Sequence, residues 1–143
     1  GIYAAGDIVN FVDRRTKRRA RVGYWRTAQQ HGRIAARNMA GRNSVFEGVP
    51  FFWTRQFDIG LLYVGRAKSW DTIIYRGDVS SQDFLAFFVK NNHVLAVAGM
   101  NRDREMAAAE ELLRLGRMPF AEQLRNDDTS LVDILHAPES ITA

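Results

Sequence analysis

Apolar and polar positions along the chain follow two regimes. From residue 51 onward, apolar, aromatic and branched residues come in short runs broken by turn residues: FFWTRQF, GLLYVG, DTIIYRG and DFLAFFVKNNHVLAVAGM. Runs of this length and composition predict strands. Gly60 separates the first two, and Gly77-Asp78 closes the third. In the last segment two apolar runs flank Lys90-Asn91-Asn92, where Asn tolerates the positive φ of a tight hairpin turn. The pattern predicts about five short strands, antiparallel because the connections are too short for helical crossovers. Beyond Met100 the period lengthens to that of a helix. Met106, Ala109 and Leu113 form one stripe with Leu112 beside it, expected to lie on one face of the sheet as core. Asn101 or Asp103 is expected to cap this helix and Gly116 to stop it. PFAEQLRN and TSLVDILH read as two short helical segments, and HAPESITA as a loose tail.

Before residue 50 the pattern is thinner. Residues 1–5 read as the end of a buried strand and 6–21 as a polar, basic loop. In WRTAQQHGRIAARNMAG, Ala28, Ile34, Ala35 and Met39 fall at helical spacing, with Gly41 placed to end the helix. Gly32 inside that helix costs about 1 kcal/mol relative to Ala, and is expected to admit another backbone. GRNSVFEGVP reads as a linker. The resulting division is 1–42, a linker at 43–49, and 50–143 as a complete α+β layer with a small, mainly antiparallel sheet and C-terminal helices. A lone strand end and helix close no core. The first part is therefore expected to be a remnant of a larger α/β domain, and the chain the C-terminal piece of something longer.

Composition narrows the chemistry. The chain has 143 residues, 46% hydrophobic and 25% charged, as a globular domain requires. It has no cysteine, which excludes disulfides, thiolate metal sites and a cysteine nucleophile within it. His31, His93 and His136 are far apart and show no metal-ligand spacing, so no metal is expected. No apolar run approaches the roughly 20 residues of a membrane span, and a cytoplasmic location is expected. The net charge is +4, concentrated in DRRTKRRAR at residues 13–21, which reads first as a solvated loop. Nucleic-acid binding is disfavoured, because no aromatic-bearing sheet motif accompanies the basic run. No Ser/His/Asp arrangement and no GxGxxG loop is present.

Three features remain. Ala5-Gly6-Asp7 follows the strand end, where Gly permits close backbone approach and Asp can accept hydrogen bonds from hydroxyls. Trp25 opens the helix, whose start offers free N–H groups and a positive dipole end suited to an electron-rich ring edge. Trp53 lies on the first strand past the linker, where an aromatic could cover a flat ring or serve as core.

Taken together and in order, YAAGDIV, YWRTAQQHGRIAARNMAG and VPFFWTRQFDIGLLYVG resemble the C-terminal region of FAD-dependent NAD(P)H oxidoreductases of the ferredoxin/rubredoxin reductase type. Within that family the resemblance points to the apoptosis-inducing-factor-like branch, some of whose members carry a Rieske domain. FLAFFVKNNHVLAVAGMNRD fits the same branch. The resemblance implies that Gly6 and Asp7 bind the ribityl–phosphate region of FAD. It implies that Trp25, Thr27 and Ala28 start the helix that meets the isoalloxazine ring, and that Trp53 lies near the flavin face. It further implies that residues 50–143 cover the flavin and help dock an iron–sulfur electron acceptor, a ferredoxin, a rubredoxin or a Rieske domain. The parent would take NAD(P)H as substrate, and the chain alone, without the N-terminal FAD and NAD domains, is expected to be inactive. Two positions depart from the family: Gly23 stands where many ferredoxin reductases have Glu, and Thr54-Arg55-Gln56 replaces Ser-Asp-Gln. The alternative reading is a non-catalytic dimerisation or protein-interaction module. On either reading the apolar residues of 1–41 are expected to drive homodimer formation of the isolated chain.

Overall fold

A computed structural model describes residues 1–137. The expected tail, HAPESITA, lies almost wholly outside them. Residues 1–5 form no strand: Ile2 is fully exposed and Tyr3 is held only by its hydroxyl, which donates to the Asn38 carbonyl at 3.2 Å. A strand needs a neighbour for its backbone groups, and none of the described strands pairs with this segment. The basic loop is more ordered than expected. It holds a single 3-10 turn (Gly6–Ile8) and a small hairpin of β1 (Phe11–Val12) and β2 (Arg19–Ala20), paired Phe11 to Ala20.

Helix α1 spans Trp25–Met39. Its apolar stripe is only half-buried and Met39 is exposed; the fully buried positions are Thr27 and His31. The expected close backbone at Gly32 is not there, since a Cβ on Gly32 would meet open space.

The remainder is a five-stranded antiparallel sheet of β3 (Phe51–Gln56), β4 (Ile59–Gly65), β5 (Thr72–Asp78), β6 (Asp83–Lys90) and β7 (His93–Met100). Its order is β3-β4-β7-β6-β5, as the short connections require. The β6–β7 turn is Asn91-Asn92, both at positive φ (49° and 64°), the geometry of a two-residue hairpin. Gly60 is not the turn between β3 and β4. It lies within β4 opposite Arg55, and the turn is Phe57-Asp58, with Phe57 at φ 55°. Gly77-Asp78 closes β5, as expected.

Helix α2 (Asp103–Leu115) lays Met106, Ala109, Leu112 and Leu113 on the sheet, all buried. Met106 enters over Gly99 of β7, where a Cβ would come within 2.7 Å of its sulfur. Gly116 ends α2 in the left-handed conformation (φ 70°), as expected. The expected N-caps fail: Arg102 takes that position without a side-chain cap, and Asp103 begins the helix. Asn101 instead donates its amide to the Gln82 carbonyl at 3.0 Å, a tertiary bond that outcompetes the local one. Short helices α3 (Ala121–Leu124) and α4 (Leu131–His136) close the core through Leu124 and Leu131. No described helix is long and apolar enough to cross a membrane.

Candidate functional site

The start of α1 is the corner where the singled-out residues meet. Tyr24 precedes the helix in extended conformation, no side chain caps it, and its first turn holds no acid. Its first N–H groups and positive dipole end are thus available to a ligand. Gly6, at φ +81°, docks on the first turn: a Cβ there would lie 3.7 Å from the Ala28 methyl. Asp7 follows, its carboxylate against Gly23, with Oδ2 3.2 Å from where a Gly23 Cβ would be. Gly23 therefore leaves room for the Asp7 carboxylate just before the helix begins. Gly6, Asp7 and Ala28 are in this way brought to one corner.

Trp25 and Trp53 form the second half of the corner. Their rings stand 5.5 Å apart and edge to face at 67°, and both are substantially exposed, 66% and 43%. Two large indoles left in water at one place are unusual for a core role. Phe51 lies 6.0 Å from Trp53, on the same face of β3 by the period-two rule. The Arg26 guanidinium sits 4.6 Å over the Phe51 ring and pairs with Glu110 of α2 at 2.8 Å. This Arg26 bridge, absent from the sequence reading, fixes α1 against both β3 and α2. Thr27 is not presented with the indoles. It projects from the other side of the helix, is 1% exposed, and its hydroxyl has no hydrogen-bond partner among the described residues.

The basic run is partly spent on internal pairs. Asp13 is buried and bound by Arg15 at 3.1 Å, Arg14 pairs with Glu47, and Arg19 donates to the Asn10 carbonyl at 3.0 Å. Lys17, Arg18 and Arg21 are exposed. His31 is buried, and burial lowers its pKa below the usual 6.5; the nearby Gly6 backbone pulls the other way without reaching hydrogen-bond geometry to either ring nitrogen.

Comparison with known proteins matches this architecture. Residues 51–135 fit the family described as reductase C-terminal. Apoptosis-inducing factor 3 of Mus musculus is 37% identical over 118 residues, covering 82% of this chain and 20% of that protein. The ferredoxin–NAD(+) reductase component of the anthranilate 1,2-dioxygenase system of Burkholderia cepacia is 28% identical over 94% of this chain and 33% of its own length. Among solved structures, the covalent putidaredoxin reductase–putidaredoxin complex superposes with a TM-score of 0.84 at 29% identity, over 95% of this chain and 33% of that one. The chain thus spans a fifth to a third of the length of these relatives. With a family match over most of its sheet and helices, the chain belongs to the reductase C-terminal family.

Proposed function

We propose that this chain is the C-terminal, flavin-covering part of an FAD-dependent NAD(P)H oxidoreductase that delivers electrons to an iron–sulfur protein or domain, a ferredoxin, a rubredoxin or a Rieske centre. Residues 1–42 complete the FAD-binding domain, 43–49 link, and 50–143 form the C-terminal domain. The observation that carries the reading is the exposed Trp25–Trp53 pair at an uncapped helix start, beside the Gly6-Asp7 turn. Bound FAD would supply two-electron acceptance from NAD(P)H and one-electron release. Within this reading Gly6 lets the backbone approach the cofactor and Asp7 accepts hydrogen bonds from its ribityl–phosphate region. The α1 start, with Trp25 and Ala28, favours electron density at the ring edge, while Thr27 faces the interior, and Trp53 covers the ring face and excludes water. The family and the ferredoxin-reductase names of the relatives support this reading. The chain alone is inactive, and the parent works in the cytoplasm.

The test uses the full-length parent. Asp7→Ala removes a charged hydrogen-bond acceptor worth roughly 1.5–3 kcal/mol, which weakens FAD retention on a desalting column by about ten- to hundredfold. Trp53→Ala leaves FAD bound and changes turnover with the iron–sulfur acceptor. Asp7→Ala protein that keeps FAD as tightly as the parent refutes the assignment of Gly6-Asp7.

A further inference from the structure

Residues 43–50 have no regular structure, yet they are not a free linker. They run back along α1 in antiparallel sense. The Asn38 amide donates to the Ser44 carbonyl at 3.0 Å and accepts from the Ser44 N–H at 2.7 Å. Two turns nearer the helix start, His31 meets Phe46 with ring centroids 4.5 Å apart. The Gln30 amide oxygen crowds Gly48, 2.7 Å from where a Cβ would be. Arg26 then covers Phe51, and Trp25 meets Trp53. Positions 38, 31, 30, 26 and 25 thus meet 44, 46, 48, 51 and 53 in order. Arg14, in the turn of the β1–β2 hairpin, adds a fastening by pairing with Glu47.

His31 is the centre of this run. It is 4% exposed and packed edge to face between Phe46 and Phe11 (5.0 Å), and among the described residues neither ring nitrogen has a hydrogen-bond partner, the Gly6 backbone lying near but outside bonding geometry. No charged group on the elements around it contacts the ring. On the hairpin Asp13 is bound by Arg15; on the segment itself Glu47 is bound by Arg14; on α1 Arg26 is bound by Glu110; Asp7 in the 3-10 turn and Arg33 on α1 are exposed to solvent. A second proton on this ring would be a charge among aromatic faces with no carboxylate to receive it, which burial penalises.

We propose that residues 44–48 are a strap latched over α1 by a neutral His31 ring, and that protonating this ring releases the strap. The sign follows from burial, which lowers the His31 pKa in the latched state while the released ring recovers its ordinary value near 6.5. The released state therefore binds the proton more tightly, and the latch is intact above pH 6.5 and weakens as pH falls below it. The strap belongs to this chain's own structure and stands whether or not the chain meets a flavin.

The chain has no cysteine, so a single pair of spin labels reports the strap directly: one at Arg37→Cys on α1 and one at Val45→Cys, both at exposed positions. The distance distribution is expected to be single and narrow at pH 8 and to broaden on acidification, with a midpoint below 6.5. In a chain also carrying His31→Leu it is expected to stay narrow at pH 5. No broadening in the His31 protein, or equal acid broadening with His31→Leu, overturns the proposal. Should His31→Leu lose its fold by circular dichroism at pH 8, NMR titration of the unsubstituted chain decides. The amides of residues 44–48 must follow the His31 ring curve, and amides that stay still while His31 titrates overturn the latch.

Discussion

Gly65→Ala tests the packing of the sheet most directly. Gly65 is the last residue of β4, buried, opposite Ala96 of the central strand β7, and its φ is +89°. A Cβ there would stand 2.8 Å from the Ala96 Cα and nearer still to the Leu95 carbonyl oxygen. Carbon atoms pack at about 3.5–4.0 Å, so backbone must retreat by roughly 1 Å. β7 cannot retreat freely, because it is hydrogen-bonded to β4 on one side and β6 on the other. The left-handed conformation costs about 1–2 kcal/mol for a residue with a Cβ. Overpacking in a dense interior adds about 1–3 kcal/mol. The sum is about 2–5 kcal/mol, a large share of the roughly 5–15 kcal/mol by which domains are stable. Gly60→Ala is the internal control: it lies in the same strand, at ordinary φ, with open space where its Cβ would be. It should change stability by no more than about 0.5–1 kcal/mol. Urea unfolding measures both, and with a slope of about 1–3 kcal/mol per molar the Gly65→Ala midpoint should fall by about 1 M or more. Equal midpoints for the two variants would refute the reasoning.

Arg76 donates to the carbonyls of Leu124 (2.8 Å), Asn126 (2.5 Å) and Thr129 (2.5 Å), tying the α3–α4 connection to β5; since these carbonyls can rehydrate, Arg76→Ala should cost about 3 kcal/mol, read by urea unfolding, and a cost below about 1 kcal/mol contradicts it. Burial lowers the Arg76 pKa, but its guanidinium stays charged throughout the ordinary pH range, so this contribution should not vary between pH 5 and 9. The isolated chain should dimerise through the exposed Ile2, Ile8 and Met39, with Ile8→Asp plus Met39→Asp returning it to monomer by light scattering; a monomer in both cases ends that expectation.

What was legible in the sequence is what local physics decides. Asn91-Asn92 between two apolar runs has few turns open to it, and takes the positive φ values that such a hairpin needs. The Met106-Ala109-Leu113 stripe fixes the buried face of α2, and Gly116 its end. Misreadings fall where a distant group intervenes. Asn101 is an able cap, but the Gln82 carbonyl is within its reach, and that bond is made across the sheet. Phe57 at φ 55° is a turn residue no composition rule selects; its position follows from the register of Trp53 on Leu62 and Arg55 on Gly60. The strand expected at residues 1–5 depended on a neighbouring strand, which a local pattern cannot supply. Of the candidate site, Gly6, Asp7, Ala28, Trp25 and Trp53 converge on one corner, whereas Thr27 faces inward. The Arg26–Phe51–Glu110 bridge that aligns that corner joins residues up to 84 positions apart and has no local signature.

The two long helices are held by different forces, and this bears on the site. α2 buries five residues, all apolar; α1 is two residues longer and buries two, both polar. Apolar burial is roughly proportional to area and insensitive to direction, so α2 stays with the sheet as long as the core is closed. α1 gains little from that source. It is placed by directed contacts: Arg26 to Glu110 and Phe51, Asn38 to Ser44, His31 between Phe11 and Phe46. Directed contacts of this kind contribute about 1 kcal/mol each and fail one at a time. The helix that carries Trp25 is therefore at the low-stability end of the molecule, and Trp53 stands on β3, an edge strand paired only to β4 with no fully buried residue. Both indoles thus stand outside the closed core, and substitutions along the strap should move the Trp25–Trp53 corner long before they unfold the sheet.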